Sequence, residues 1–277
     1  MGEPILYCRS KEYFRPGKKN YVIALTHKNY SIHMHSHEFI EINIVTSGTG
    51  CHIIENARIN VKVGDVFVIP SGTMHGYEGK KTGLCVLHIL LHEDFVKGYG
   101  EELSATPGYR TLFDIEPLLR PSLRDKYFLH ADLKTMNYIN SELAEMIEAY
   151  TSENYVYQNV VALNLICRLC TEMDKSMNAE HKSTDESSEL QIMKVLDHIS
   201  DNLPEKLSAR KLADIANMSV STLNRHFTKL LGTTPGAYII SKRIETAKAL
   251  MDENRYSKTE VAHMCGFYDS SHMEKYM

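Results

Sequence analysis

Hydrophobic and polar positions change their period along this chain of 277 residues. Up to about residue 100 the apolar residues fall in short, partly alternating runs: Tyr21 to Thr26, Phe39 to Val45, Cys51 to Ile54, Ile59 to Val63, Val66 to Ile69 and Leu84 to Leu91. Turn residues such as Gly64-Asp65 and Pro70-Ser71-Gly72 separate them, and strands this short and closely spaced predict a sandwich or small barrel. After Pro107 the period becomes helical. Ile139, Leu143, Met146, Ile147 and Tyr150 form one stripe, and Val160, Leu163, Leu165, Ile166, Leu169 and Met173 form a second, so two antiparallel helices are expected about a polar break at Thr151 to Asn154. Ser176 to Ser188 has no apolar periodicity and reads as a flexible linker.

Beyond the linker, Ile192, Val195 and Ile199 mark an amphipathic helix that ends near Pro204. Ser208 to Gly232 then reads as two short helices joined by a tight turn. Ser208 is an N-cap, Leu212, Ala213, Ile215 and Ala216 face inward, and Asn217 tolerates a left-handed corner. Ser219 caps a second helix whose Leu223, Phe227 and Leu230 share one face, leaving Ser221, Thr222, Asn224 and Arg225 on another. This is helix-turn-helix grammar, in which the second helix offers side chains to the edges of bases. It returns from Tyr256 to Phe267, where Ser257 and Glu260 make a capping box and Gly266 the corner. Ala213 and Ala262 lie 49 residues apart, as do Ser221 and Ser270, so the segment is an internal repeat. Ala237 to Met251 reads as a helical strut between the two copies.

The L-A-x-x-A run with S-x-S-x-L-x-R-x-F, then G-T-T-P, R-I-x-x-A-x-x-L and V-A-x-x-x-G-F-x-D-S-S, resembles the AraC/XylS transcriptional regulators from Glu189 onward. The resemblance implies that the first reading helix contacts DNA at Ser221, Thr222, Asn224 and Arg225, and the second near Ser270, Ser271 and Lys275. Members of that family normally continue further, so the second unit is expected to be incomplete and its helix frayed. From Glu189 onward 12 Lys plus Arg stand against 11 Asp plus Glu, so affinity must rest on placed contacts more than on bulk charge.

In the N-terminal half, His35-x-His37-x3-Glu41-x6-Gly48 and Gly64-x5-Pro70-x-Gly72-x2-His75 resemble the two cupin signatures, except that Gly79 stands where the second signature ends in Asn. His35, His37 and Glu41 have even separations and share a face of one strand, so with His75 they are candidates for a divalent transition metal. The alternative is an effector pocket without metal, lined by His35, His37, Glu41 and His75, with Tyr77 a further candidate. His33 is expected at a rim or surface, and His88 and His92 are set aside as structural or solvated.

The expected architecture is α+β: a cupin-like effector-binding barrel (1–106), a helical dimerisation segment (107–175), a linker (176–188) and an all-α DNA-binding domain with two helix-turn-helix units (189–277). No apolar run approaches a membrane span and the N-terminus lacks the core of a signal peptide, which places the chain in the cytoplasm. Six cysteines show no metal-ligand spacing, and Cys167 and Cys170 fit helix packing. The function expected is ligand-responsive, sequence-specific DNA binding without catalysis, by a homodimer that needs no cofactor. Its effector is a small molecule, with carbohydrate suggested by the family, and RNA polymerase is a partner if the chain activates. The competing readings are a metal-dependent cupin enzyme and a truncated subunit unable to bind DNA.

Overall fold

The computed structural model describes residues 6–14, 21–25, 31–123, 129–151, 154–180, 188–252 and 254–277. They divide into two compact units, Met1–Thr184 and Asp185–Met277.

The first unit is built on one curled sheet. Its strands are β1 (Leu6–Cys8), β2 (Tyr21–Leu25), β3 (Ile32–His37), β4 (Ile40–Ile54), β5 (Ala57–Lys62), β6 (Asp65–Ile69), β7 (His75–Leu91) and β8 (Leu129–His130). They run in the order β1-β3-β7-β4-β6-β8, with β2 added to β7 and β5 to β4. The two long strands form the seam, antiparallel from Ile40 opposite Leu91 to Ile54 opposite His75. The runs Phe39 to Val45 and Cys51 to Ile54 therefore belong to a single strand, which bends through register shifts between Val45 and Ser47 and between Gly48 and Gly50. Gly48 has a φ of +75°, and a Cβ there would stand 1.4 Å from the carbonyl oxygen of Gly83, so the bend brings backbone directly against backbone. β7 starts at His75, well before the apolar run at Leu84, because its polar first half is held by pairing with β4.

The inner face of the sheet packs Val45, Ile54, Ile59, Val61, Phe67, Ile69, Tyr77, Leu84 and Val86 into one core. β5 alternates, burying Ile59 and Val61 and exposing Arg58 and Lys62, whereas all five residues of β6 are buried.

Helices begin earlier than the sequence suggests, with α1 (Ser10–Tyr13), α2 (Glu93–Gly98) and α3 (Gly100–Ser104) all before Pro107. A π-helical turn at Thr111–Ile115 runs into α4 (Glu116–Leu123), followed by α5 (Leu133–Thr151) and α6 (Tyr155–Glu180). The expected stripes are largely buried inside the unit, through Ile139 and Met146 of α5 and Leu165, Ile166, Leu169 and Met173 of α6. Ile147 and Val160 of those stripes are exposed instead, as is Val156 of α6. α6 reaches Glu180, so residues 176–180 of the expected linker are helical. Residues 181–187 of that linker, 152–153 of the expected break and Thr26 lie outside the described residues.

The second unit contains α7 (Ser188–Asp201), α8 (Ala209–Ile215), α9 (Val220–Leu231), α10 (Pro235–Asp252), α11 (Lys258–Met264) and α12 (Ser270–Glu274). α7 packs on α8 and α9. α10 carries 18 residues, about 27 Å at the helical rise, and its Ile244 and Ala247 share a core with Val261, Ala262, Cys265, Phe267 and Met273. α12 is short but formed, with Met273 buried and Asp269 accepting from the His272 N–H at 2.7 Å, where a frayed end was expected. Among the described residues no helix is long and apolar enough to cross a membrane.

Candidate functional site

Sheet curvature converges several polar side chains on Glu41, which is buried. β3 ends at His37 and β4 begins at Ile40, so His35 and His37 lie on a different strand from Glu41, contrary to the single strand expected. The convergence survives this. His37 Nε2 lies 2.9 Å from Glu41 Oε2, His75 Nε2 3.1 Å from the same oxygen, and His88 Nδ1 2.5 Å from Oε1. Burial alone would push the Glu41 carboxyl up; the three surrounding histidines outweigh it and hold the group well below the ordinary carboxylate range.

The histidines share one local device. His35 Nδ1 faces the His33 carbonyl at 3.0 Å, His37 Nδ1 that of Phe39 at 2.7 Å, and His75 Nδ1 that of Thr73 at 3.2 Å. A carbonyl only accepts, so each Nδ1 carries a proton and each ring turns Nε2 away from the local backbone. Burial, with His75 adjacent, lowers His35 to about 4, which leaves its Nε2 lone pair available at neutral pH. Ligand atoms of His35, Glu41 and His75 lie within 4.8 Å of one another, a donor set of the right chemistry for a divalent transition cation. His37, the fourth expected ligand, stands outside that trio and acts on Glu41. His33 is exposed, and His92 caps α2 by accepting from the Asp94 N–H at 3.2 Å.

Deeper in the sheet lies a second set, of which the sequence pattern marks only Tyr77. Asn43, His52 and Arg120 are buried, as are Tyr77 and His88. Both ring nitrogens of His52, His88 Nε2 and Arg120 Nη1 have no hydrogen-bond partner among the described residues, and the Tyr77 hydroxyl faces the Asn43 amide. Tyr77 stacks on His52 with ring centroids 4.4 Å apart, and His52 meets Phe67 edge to face at 5.0 Å. The Arg120 guanidinium lies 5.2 Å from the Phe67 ring, held by Glu116 and by the Val68 carbonyl at 2.7 Å. Burial, and Arg120 close by, keep His52 neutral well below its ordinary titration range. His88 shows why this set escapes notice: it has no motif spacing, and only the β4–β7 register places it beside Asn43.

In the second unit α9 has one buried face, Leu223 and Phe227, and one exposed face, Ser221, Asn224 and Arg225, with Thr222 half-buried. Ser219 accepts from the Thr222 N–H at 3.1 Å and fixes the start of the helix, and Gly232 ends it at a φ of +70°. The repeat extends to the backbone. Met218 N–H donates to Ala213 and Phe267 N–H to Ala262, each closing a left-handed corner, at Asn217 and Gly266 respectively. The caps of α8 and α11 are 49 residues apart, Ser208 and Ser257, but those of α9 and α12 are 50 apart, Ser219 and Asp269. One extra residue in the second turn shifts the expected correspondence. Ser221 matches Ser271 and Arg225 matches Lys275, both exposed, whereas Ser270 is half-buried at the first position of α12.

The AraC-like ligand binding domain family matches residues 19–196, and the helix-turn-helix domain family matches residues 212–277. The chain belongs to the AraC family. As an AraC-family protein it is a ligand-responsive transcriptional regulator, with ligand-binding and DNA-binding parts on one chain. Among curated AraC-family relatives it is similar to the HTH-type transcriptional activator RhaS of Klebsiella pneumoniae (strain 342), 25% identical over 265 residues that cover 95% of this chain and 89% of the relative. RhaS of Shigella sonnei (strain Ss046) is 24% identical over the same shares. Solved structures similar to it include ToxT from Vibrio cholerae O395, 12% identical over 94% of this chain and 93% of that one, with a TM-score of 0.36. The DNA-binding domain of AdpA in complex with a target DNA is 30% identical over 31% of this chain and 78% of that one, with a TM-score of 0.30.

Proposed function

We propose that the effector is a small, neutral molecule bearing several hydroxyl groups, bound inside the curled sheet by Asn43, His52, Tyr77 and His88 beside the His35, His37, Glu41 and His75 cluster. One observation carries this reading: a set of buried polar atoms without partners that mixes donors and acceptors. A buried polar group without a hydrogen bond costs on the order of 1–3 kcal/mol, and hydroxyls, which both donate and accept, satisfy such a mixture. A carbohydrate is the natural member of that class. A net anion is disfavoured by the ionised Glu41 and by the pairing of Arg120 with Glu116. A divalent transition cation would be held by His35, Glu41 and His75, where it supplies a Lewis acid toward a ligand oxygen. Binding without turnover is the role assigned to this site.

On the DNA side, Asn224 and Arg225 are assigned to base edges, with Ser221 and Thr222 beside them and Ser271 and Lys275 as counterparts from the second unit. Asn pairs with adenine and Arg with guanine through two hydrogen bonds each. Homodimerisation is assigned to the exposed Ile147, Val156 and Val160, which lie off the face that buries Ile139, Met146, Leu165, Ile166, Leu169 and Met173 within the unit. RNA polymerase is the further partner if the chain activates.

Calorimetric titration of the full chain with a panel of monosaccharides and sugar acids, after elemental analysis for metal, tests the effector assignment. Saturable binding of a neutral sugar, lost in Asn43→Ala, is the expected result. Binding of sugar acids alone, or turnover of the added compound, would displace it. Light scattering with Val156→Glu and Val160→Glu tests the dimer, and an unchanged dimer in both would remove that surface from the account.

A further inference from the structure

Arg243 sits in the middle of α10 and is 9% exposed. Its guanidinium reaches three backbone carbonyls: Nε to Leu203 at 2.9 Å, Nη2 to Glu205 at 2.6 Å, and Nη1 to Gly266 at 2.7 Å. Leu203 and Glu205 belong to the connection between α7 and α8, in the first reading unit. Gly266 is the corner of the second unit. None of the three acceptors is a carboxylate, so the hydrogen bonds of this buried cation go to the main chain of the two units it separates, and its face lies 6.0 Å from the Phe267 ring. The planar fork of a guanidinium can hold three such acceptors in one fixed arrangement, which an ammonium on a flexible stem cannot.

Gly266 meets the same junction from the other side. A Cβ at Gly266 would stand 2.6 Å from the Pro204 carbonyl oxygen and 2.8 Å from Arg243 Nη2. The equivalent corner of the first unit carries Asn217 at a φ of 49°, so the left-handed turn does not by itself demand glycine. Clearance against Pro204 and Arg243 does.

We infer that Arg243 is a positioning residue that fixes the register between the two DNA-reading units, with Gly266 leaving the space in which it works. α10 packs against both units, with Tyr238 against Phe227 near one end and Ile244 and Ala247 in the second core toward the other. Such packing tolerates small rotations, whereas a three-carbonyl clamp has one geometry. Groove reading by two heads needs the spacing between their contacts set to within a base pair, because neighbouring contacts lie about one helical turn apart, roughly 10–10.5 base pairs.

The test is selection of DNA from a random-sequence duplex library with the full chain, comparing wild type, Arg243→Lys and Gly266→Asn. Asn keeps the left-handed corner, as it does at position 217, but fills the clearance. Wild type is expected to return two sequence blocks at one dominant separation. Both variants, shown to be folded by circular dichroism and thermal melting, should return the same blocks at a spread of separations. Insertion of one base pair between the blocks should weaken wild type by roughly tenfold and the variants by less than about threefold. A single block from wild type overturns the proposal, as do folded variants that keep the single separation. If Arg243→Lys does not fold, Gly266→Asn decides; if neither folds, the junction is a stability element only and the proposal falls.

Discussion

Glu41 and His88 are 47 residues apart in sequence, yet Glu41 Oε1 and His88 Nδ1 lie 2.5 Å apart at the centre of the sheet. The contact exists because β4 and β7 pair with Asn43 opposite His88, which sets the imidazole beside the carboxylate two residues earlier on the neighbouring strand. Glu41, on β4, is thus the common partner of histidines from β3 and β7. Removing it as Glu41→Ala leaves His37 and His88 without their acid partner, and breaking a buried pair this way costs about 3–5 kcal/mol. Chemical denaturation should show that loss, together with loss of effector binding. A loss below about 1 kcal/mol would mean the cluster is wetter than its burial implies.

His52 gives the first unit a pH dependence of defined sign. Its folded-state value lies well below the ordinary 6.5, so the folded chain binds fewer protons there than the unfolded chain. Stability is therefore full above about pH 6.5 and declines as pH falls through that value. His35, lowered to about 4, adds to the decline across the window from about 6.5 down to 4. Glu41 contributes in the same direction lower still, as pH falls below 4.5. Thermal melts between pH 8 and pH 5 should show the midpoint dropping with acid, and His52→Phe, which keeps a ring against Tyr77, should flatten the slope. An unchanged slope in that variant would locate the proton uptake elsewhere.

Arg225→Ala should cost roughly 1–3 kcal/mol of DNA affinity and relax preference at one base position, because its side chain is exposed on the free face of α9. Gel-shift titration across single-base operator variants reads both effects. Uniform weakening on every sequence would reassign Arg225 to a phosphate.

Gly48→Ala should destabilise the first unit by at least about 2 kcal/mol, since the position combines a φ of +75° with a Cβ that would overlap the Gly83 carbonyl. Calorimetry should show the first unit's transition moving down while that of the helical unit stays in place. Wild-type melting in Gly48→Ala would require that β4 not bend there.

The two reading units were legible in the sequence because their determinants are local. Ser208, Ser219 and Ser257 all cap the helices expected of them, and Asn217 and Gly266 both take the left-handed corner. What escaped was the one-residue shift that makes Asp269 the cap of α12, since a single insertion in a turn leaves the surrounding spacing almost unchanged. In the sheet, spacing brought His35, Glu41 and His75 together on paper because the motif compresses a three-dimensional set into two short runs. Asn43, His52, His88 and Arg120 had no such signature. Their meeting depends on strand register and on α4, which are set by contacts far apart in the chain.

The antiparallel seam between Ile40 and Leu91 also bears on how quickly the protein is ready for use. Hairpins and helices close within microseconds, but strands brought together across tens of residues must first surrender much chain freedom. After dilution from denaturant, the helical half should regain its structure first, so a freshly refolded molecule passes through an interval in which it can grip DNA before it can sense anything.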